Sequence, residues 1–351
     1  MLRIERKTDN KHPVLQRLLS VVIAVVVAGI VIAFCGYNPV QMYAQMVYGS
    51  FNTASAVAHT FEKMVPLVVM ALGVAVCFKM KFMNIGAEGQ FYMGATAATW
   101  VALFAPRMAV PLQLVFMFVL AFLAGGLWCF IAAWLKSKWS VSETLVTLML
   151  NYVAIKLVSY LQYVKWKDKT SYGFPKIANF PSELQFPTLF GVNIGWIVAI
   201  VIVVFVFLLL KKSKFGYEIA VIGDTEDTAR YAGMNTQRAL LIASLIGGGI
   251  CGLAGLIQSS GVEHTMNASM SNGMGYSAIV IAYMANMNPL SIVLVSFLFS
   301  ILFQGSSYIK IALQIPSAAA DVVQGIILLF VLGSEFFANF RFVRSGKKGV
   351  N

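Results

Sequence analysis

The 351-residue chain is 59% hydrophobic and only 11% charged, with 26 Lys and Arg against 14 Asp and Glu for a formal net charge of +12. Apolar runs of about 17 to 25 residues, long enough to span roughly 30 Å of hydrocarbon, recur from Leu18 to Leu332 and define a polytopic membrane protein. The basic excess lies in the short connections between these runs, where membrane orientation places it, which argues against a nucleic-acid partner.

In chain order, a basic segment over residues 1–17 precedes an apolar run ending near Phe34-Cys35. The bulky Phe34 and the length of the run favour an uncleaved first span over a signal peptide. Ten membrane segments follow from the pattern: about 18–35, 64–78, 86–104, 110–135, 142–162, 195–210, 239–258, 276–286, 289–308 and 319–335. With the N-terminus inside, eighteen Lys and Arg fall on the cytoplasmic side and seven outside, with Lys156 inside a span. The expected fold is therefore all-α, one helical bundle over residues 18–338 with both termini in the cytoplasm and a basic tail at 339–351. Residues 164–194, rich in Pro and aromatics, read as an external loop, and 211–238 as a cytoplasmic one. Segment 276–286 is too short to cross as a straight helix and reads as a half-helix or re-entrant piece ending at Asn288-Pro289.

Two polar motifs interrupt the spans. Asn84-Ile85-Gly86-Ala87-Glu88-Gly89-Gln90 puts a carboxylate, two carboxamides and two glycines at the cytoplasmic start of the third span. Unsatisfied polar groups cost several kcal/mol in lipid, so this cluster faces protein or a transport pathway. Glu143, Thr147 and Asn151, at i+4 spacing, draw a polar stripe along the fifth span. Asn84, Glu88, Gln90, Glu143, Thr147 and Asn151 are pathway candidates, with Tyr152 and Tyr276 as aromatics able to stack on a sugar or base. The alternative for both motifs is hydrogen bonding between helices. Gly247-Gly248-Gly249-Ile250-Cys251-Gly252 matches a dinucleotide fingerprint, but no strand precedes it; Gly248 and Gly252, one turn apart, fit close helix packing. Four dispersed cysteines without CxxC spacing and three scattered histidines support no disulfide framework and no metal site, and no catalytic constellation is present.

The 211–238 loop reads as containing one short helix over about 224–233. Asp224 or Thr225 caps it, Glu226 and Asp227 suit the positive end of its dipole, and Gly233 ends it in a left-handed conformation. Thr225, Ala229 and Ala232 form a narrow face of small residues, suited either to a partner's groove or to an ordinary connection.

Asn84 to Gln90, then Glu143-Thr144-Leu145-Val146-Thr147-Leu148-Met149-Leu150-Asn151-Tyr152, then Gly223-Asp224 with Ala229-Arg230-Tyr231-Ala232-Gly233, stand in the order and spacing of one family. From about residue 60 to 335, including Gly275-Tyr276, Asn288-Pro289 and Gln324-Gly325, the chain resembles permease subunits of bacterial ABC importers for simple sugars and nucleosides. The likeness is greatest to the longer nucleoside-type permease. It departs at Met284-Ala285-Asn286, where relatives usually carry a glycine before the Asn-Pro turn.

The resemblance implies a multi-pass protein of the bacterial plasma membrane, a second related permease subunit, a lipid-anchored or periplasmic substrate-binding protein, and a cytoplasmic ABC ATPase. Gly223, Asp224, Glu226, Asp227, Ala229, Tyr231, Ala232 and Gly233 would form the coupling element against that ATPase. The chain has no GxxxxGK[ST], so ATP and Mg²⁺ belong to the partner and this chain is a transport subunit rather than an enzyme. The expected cargo is a neutral polar solute, a nucleoside or alternatively a ribose-like sugar. The rival readings are an ion-coupled carrier using Glu88, Glu143 and Asp321, and an intramembrane enzyme, for which no catalytic motif speaks.

Overall fold

The computed structural model describes residues 2–6, 13–34, 36–106, 108–169, 171, 173, 175–316, 318, 320–322, 324–326, 329, 333 and 340–344. Its elements are β1 (Leu2–Arg6), α1 (Pro13–Phe34), α2 (Pro39–Phe51), α3 (Ala54–Lys79), α4 (Ala87–Phe104), α5 (Val110–Trp139) and α6 (Glu143–Tyr160). A hairpin of β2 (Thr188–Leu189) and β3 (Val192–Asn193) leads to α7 (Gly195–Lys212), α8 (Lys214–Asp224) and α9 (Glu226–Tyr231). The chain continues through α10 (Thr236–Gly261), α11 (Met274–Met284), α12 (Pro289–Ala312) and β4 (Phe340–Arg344). The protein is mostly helical, and six of its described helices are long and apolar enough to cross a membrane: α3, α5, α6 with its π-helical extension to Lys165, α7, α10 and α12. Counting the bent pair α1–α2 as one span makes seven.

The chain divides into two compact units. The first, residues 1–56 and 301–351, holds α1, α2, the end of α12 and the antiparallel pair β1–β4, in register from Leu2 opposite Arg344 to Arg6 opposite Phe340. Within it Gly49 lies under the Tyr308 ring and Gly305 against Met46, while Ser50 Oγ donates to the Met46 and Ile301 carbonyls. Lys310 and Asp321 form an exposed ion pair at 2.8 Å.

The second unit, residues 57–300, is built around α10. Glycine spacing explains its central place. Gly248 and Gly252 meet the backbone of α5 at Gly125 and Ala121, Gly252 also meets Gly94 of α4, and Gly247 faces Gly73 and Cys77 of α3. A Cβ at these points would collide with a neighbouring backbone or side chain, so three helices close directly on α10. The packing role expected for Gly248 and Gly252 is thus observed. The best apolar windows of α3 and α10 are 78% and 72% buried, whereas those of α6 and α7 are only 22% buried, which makes the latter two peripheral. Cys77, Cys129 and Cys251 are buried free thiols at these contacts.

Several expected boundaries move. Residues 36–63 were expected to connect two spans, yet α2 occupies 39–51, with Asn38 Oδ1 capping Val40 and Gln41 and Pro39 in the first turn. Helix α3 begins ten residues before the expected span, and Pro66 lies inside it. The short segment expected over 276–286 is seen as α11, only 11 residues long and followed by left-handed Asn286 and Met287 before Pro289 starts α12. The last expected span, 319–335, falls largely outside the described residues, as do Cys35, most of the basic tail and part of the 1–17 segment.

The 164–194 loop folds over the end of α10. Phe180 N–H donates to His264 O, Phe186 N–H to Ser260 O, Ser260 Oγ to Leu184 O and Thr265 Oγ1 to Ile177 O. His264 is half-buried in this seam, its ring nitrogen 3.1 Å from Ser260 O.

Candidate transport and coupling sites

The motif from Asn84 to Gln90 forms the turn into α4 and its first turn. Asn84 and Gln90 join amide to amide: Asn84 Nδ2 donates to Gln90 Oε1 at 3.1 Å, and Gln90 Nε2 to Asn84 Oδ1 at 2.8 Å. Asn84 Oδ1 also accepts Gly86 N–H at 2.9 Å. Gly86 is small because a Cβ there would press on both amides. Helix α6 closes the other side. Thr147 Oγ1 accepts Ile85 N–H at 3.2 Å, while Asn151 accepts Gly89 N–H and donates to Ile85 O, both at 2.8 Å. One carboxamide therefore satisfies a free amide and a free carbonyl at the entry to α4, groups that no intrahelical partner can serve.

Glu88 sits in the first turn of α4, 3% exposed, and its Oε2 accepts Gly275 N–H at 2.8 Å in the first turn of α11. The carboxylate thus lies at the positive ends of two helices, a favourable place for an anion without a partner cation. Gly275 is required here because a Cβ would strike the Glu88 backbone and carboxylate. Above it, the non-helical 262–273 segment runs antiparallel to α4: Thr96 Oγ1 meets Met266 Sδ, Tyr92 OH donates to Ala268 O at 2.7 Å, and Ser271 N–H donates to Tyr92 OH at 3.3 Å. Tyr92 thus gives this irregular backbone both an acceptor and a donor, the partners that backbone outside regular structure needs when buried.

The structure brings Asn84, Glu88, Gln90, Thr147 and Asn151 into one buried junction, each no more than 3% exposed and each bonded within the chain. Glu143 stands at its edge in an ion pair with Lys136 at 2.6 Å. Tyr276 lies beside Asn151 and Tyr152, and these two tyrosines are the accessible ones at 37% and 59% exposure. Sequence reasoning missed Ser271, whose buried hydroxyl lies against the Glu88 carboxyl, and Trp128, which packs on Gly89 and donates to Leu150 O. Neither stands out in sequence, because only the fold brings it to the motif.

The 211–238 loop corrects one expectation. It holds two helices, α8 and α9, because Thr225 is extended (φ −149°) and breaks the run after Asp224. Ser213 starts α8 by accepting Gly216 N–H, and Thr225 occupies the cap position of α9 without a side-chain cap bond. The predicted end is observed: Gly233 is left-handed (φ +76°), Gly233 N–H donates to Arg230 O and Met234 N–H to Ala229 O. The small-residue face does not point outward as a unit. Ala229 is wholly buried within the chain, whereas Thr225, Ala232 and Gly233 are exposed and Tyr231 is 94% exposed. Gly223 packs on the Lys79 carbonyl and Lys81 Nζ donates to Asp224 O, tying this loop to the end of α3. Asp227 is exposed, and Glu226 pairs with Arg230 at 2.7 Å. That second pair, with Lys136, Glu143, Thr236 and Gln237, borders a polar cleft of about 490 Å³.

Six long apolar helices, with α3, α4 and α5 closed on the glycine-lined α10, define a multi-pass membrane protein. The chain belongs to the family described as the branched-chain amino acid transport system / permease component, whose model matches residues 56–332. It is 32% identical to the glucose ABC transporter permease protein TsgB13 of Haloferax volcanii over 92% of this chain and 88% of that one. It is 30% identical to the guanosine ABC transporter permease protein NupP of Bacillus subtilis (95% and 97% covered) and 27% identical to the nucleoside ABC transporter permease protein NupB of Lactococcus lactis (92% of each). The resemblance read from the motifs is therefore correct at the level of the family, and membership implies an ATPase and a substrate-binding protein as partners.

Proposed function

We propose that this chain is a permease subunit of an ATP-driven importer of nucleosides in a bacterial plasma membrane. The observation that carries the reading is likeness along nearly the whole chain to two permeases named for guanosine and nucleosides. The Haloferax relative named for glucose supports a simple-sugar cargo as the second reading. In this proposal about ten segments enter the membrane, the short α11 only part-way, with both termini inside, and a related second permease completes the pathway. ATP and Mg²⁺ bind the separate ATPase. Tyr231, Ala232 and Gly233 at the end of α9 meet that ATPase, together with the exposed Asp224, Glu226 and Asp227. Tyr152 and Tyr276 face the solute, and the buried junction behind them is the wall that holds α4, α6 and α11 in position.

The test is uptake in proteoliposomes containing both permeases and the ATPase, supplied with the binding protein and radiolabelled guanosine, uridine, ribose or glucose. ATP-dependent nucleoside uptake is expected. Preference for glucose or ribose selects the second reading, and uptake by this chain alone on a sodium or pH gradient overturns both.

A further inference from the structure

The polar cleft of about 490 Å³ beside α9 is bordered by two ion pairs from different elements. Glu226 and Arg230 pair along α9, while Lys136 in the last turn of α5 pairs with Glu143 at the start of α6. Two cations matched by two anions leave no surplus charge with which to hold a free ion, so the cleft is not built as an ion site. The two pairs are not equally held. On α9 the side chains of Arg230 and Glu226 are 64% and 56% exposed, and a pair so placed is readily broken. Glu143 is only 14% exposed, and its pair is anchored to the turn that enters the Asn84 junction. Lys136 Nζ stands 5.6 Å from the centre of the Phe82 ring, and Met83 N–H meets Glu143 Oε1 at 3.5 Å. Lys136 and Met83 both bond Oε1, and a carboxylate has a second oxygen to receive another cation.

Helix α9 is the loose wall of the cleft. Of its six residues only Ala229 is buried, and it joins its neighbours through extended Thr225 (φ −149°) and left-handed Gly233 (φ +76°). So short a helix, with one methyl in the core, yields before the glycine-packed helices around it, because resistance to local opening follows the number of buried apolar contacts.

We propose that the cleft closes when α9 is pushed from the cytoplasm, and that Arg230 then leaves Glu226 for Glu143. The inference rests on the coupling role proposed for α9, and it makes Glu143 and Lys136 positioning residues of coupling rather than walls of the solute pathway. Through Met83 and Phe82 the new contact acts on the turn into α4, and the released Glu226 is free to meet the ATPase. The test uses the complex of both permeases and the ATPase. Arg230→Cys is combined with Glu143→Cys and, separately, with Ser142→Cys, which also borders the cleft and leaves Glu143 in place. Trapping the ATPase with ADP and vanadate is expected to raise cross-linking of both pairs by a short bismaleimide above the nucleotide-free level. In uptake, Arg230→Gln and Glu143→Gln are each expected to slow transport about five-fold, and the double variant no more than either alone. Unless cross-linking rises in both pairs, the inference is overturned and the coupling role of α9 still stands. Single variants without effect on uptake, or losses that multiply in the double variant, overturn it equally. Normal uptake by Ala232→Trp and Gly233→Trp removes the coupling role itself.

Discussion

Replacing Asn151 by alanine removes one side chain and strands two backbone groups. Gly89 N–H and Ile85 O, each now 2.8 Å from the carboxamide, lie at the mouth of α4, and Asn151 itself is fully buried. Each stranded group costs about 1–3 kcal/mol, so the pair costs roughly 2–6 kcal/mol. At about 2–4 °C per kcal/mol, the unfolding midpoint falls by roughly 4–24 °C. The assay is built into the chain: Cys77, Cys129 and Cys251 are buried and free, so a thiol-reactive dye becomes fluorescent as the helices separate. Tyr152→Ala, one residue on and 59% exposed, is the control and is expected to move the midpoint little. A midpoint for Asn151→Ala within about a degree of wild type, or an equal fall for Tyr152→Ala, refutes the reasoning.

Glu88→Gln keeps an acceptor for Gly275 N–H and is expected to preserve ATP-driven uptake, whereas Glu88→Ala lowers thermal stability; loss of all transport in Glu88→Gln would favour the ion-coupled reading. Gly252→Leu drives a side chain into the backbones of α4 and α5 and is expected to cost at least about 1–3 kcal/mol, read as reduced yield of folded protein in detergent. On α9, Ala229→Trp is expected to destabilise the chain because Ala229 is buried. Ala232→Trp and Gly233→Trp are expected to leave insertion intact and abolish uptake in the assembled complex, and normal uptake in both would remove the coupling role.

The parts legible in sequence were those whose cause is local. Gly248 and Gly252 announce a packing stripe by spacing alone, Gly233 announces a left-handed stop, and the length of 276–286 announces a short segment. The polar motifs were legible as anomalies, but their pairing was not, since Asn151 meets Gly89 across 62 residues and Glu88 meets Gly275 across 187. Ala229 was misread for the same reason: helical spacing puts it on a face with Thr225 and Ala232, and only the packing of the rest of the chain decides that it turns inward. Helix α2 did carry a local signal, Asn38 followed by Pro39, but its glutamines keep it below the hydrophobicity of a span.

The 262–273 segment has a mechanical consequence. At one end it is sewn to the large loop through His264 and Thr265; at the other it delivers Gly275 to Glu88, on the helix that follows Lys79 and Lys81, where α8 is fastened. The large loop and the turn that fastens α8 are thus linked in series through this non-helical segment and α4. Under the proposed coupling role, a displacement of α8 and α9 reaches the large loop through α4 and this single dozen residues.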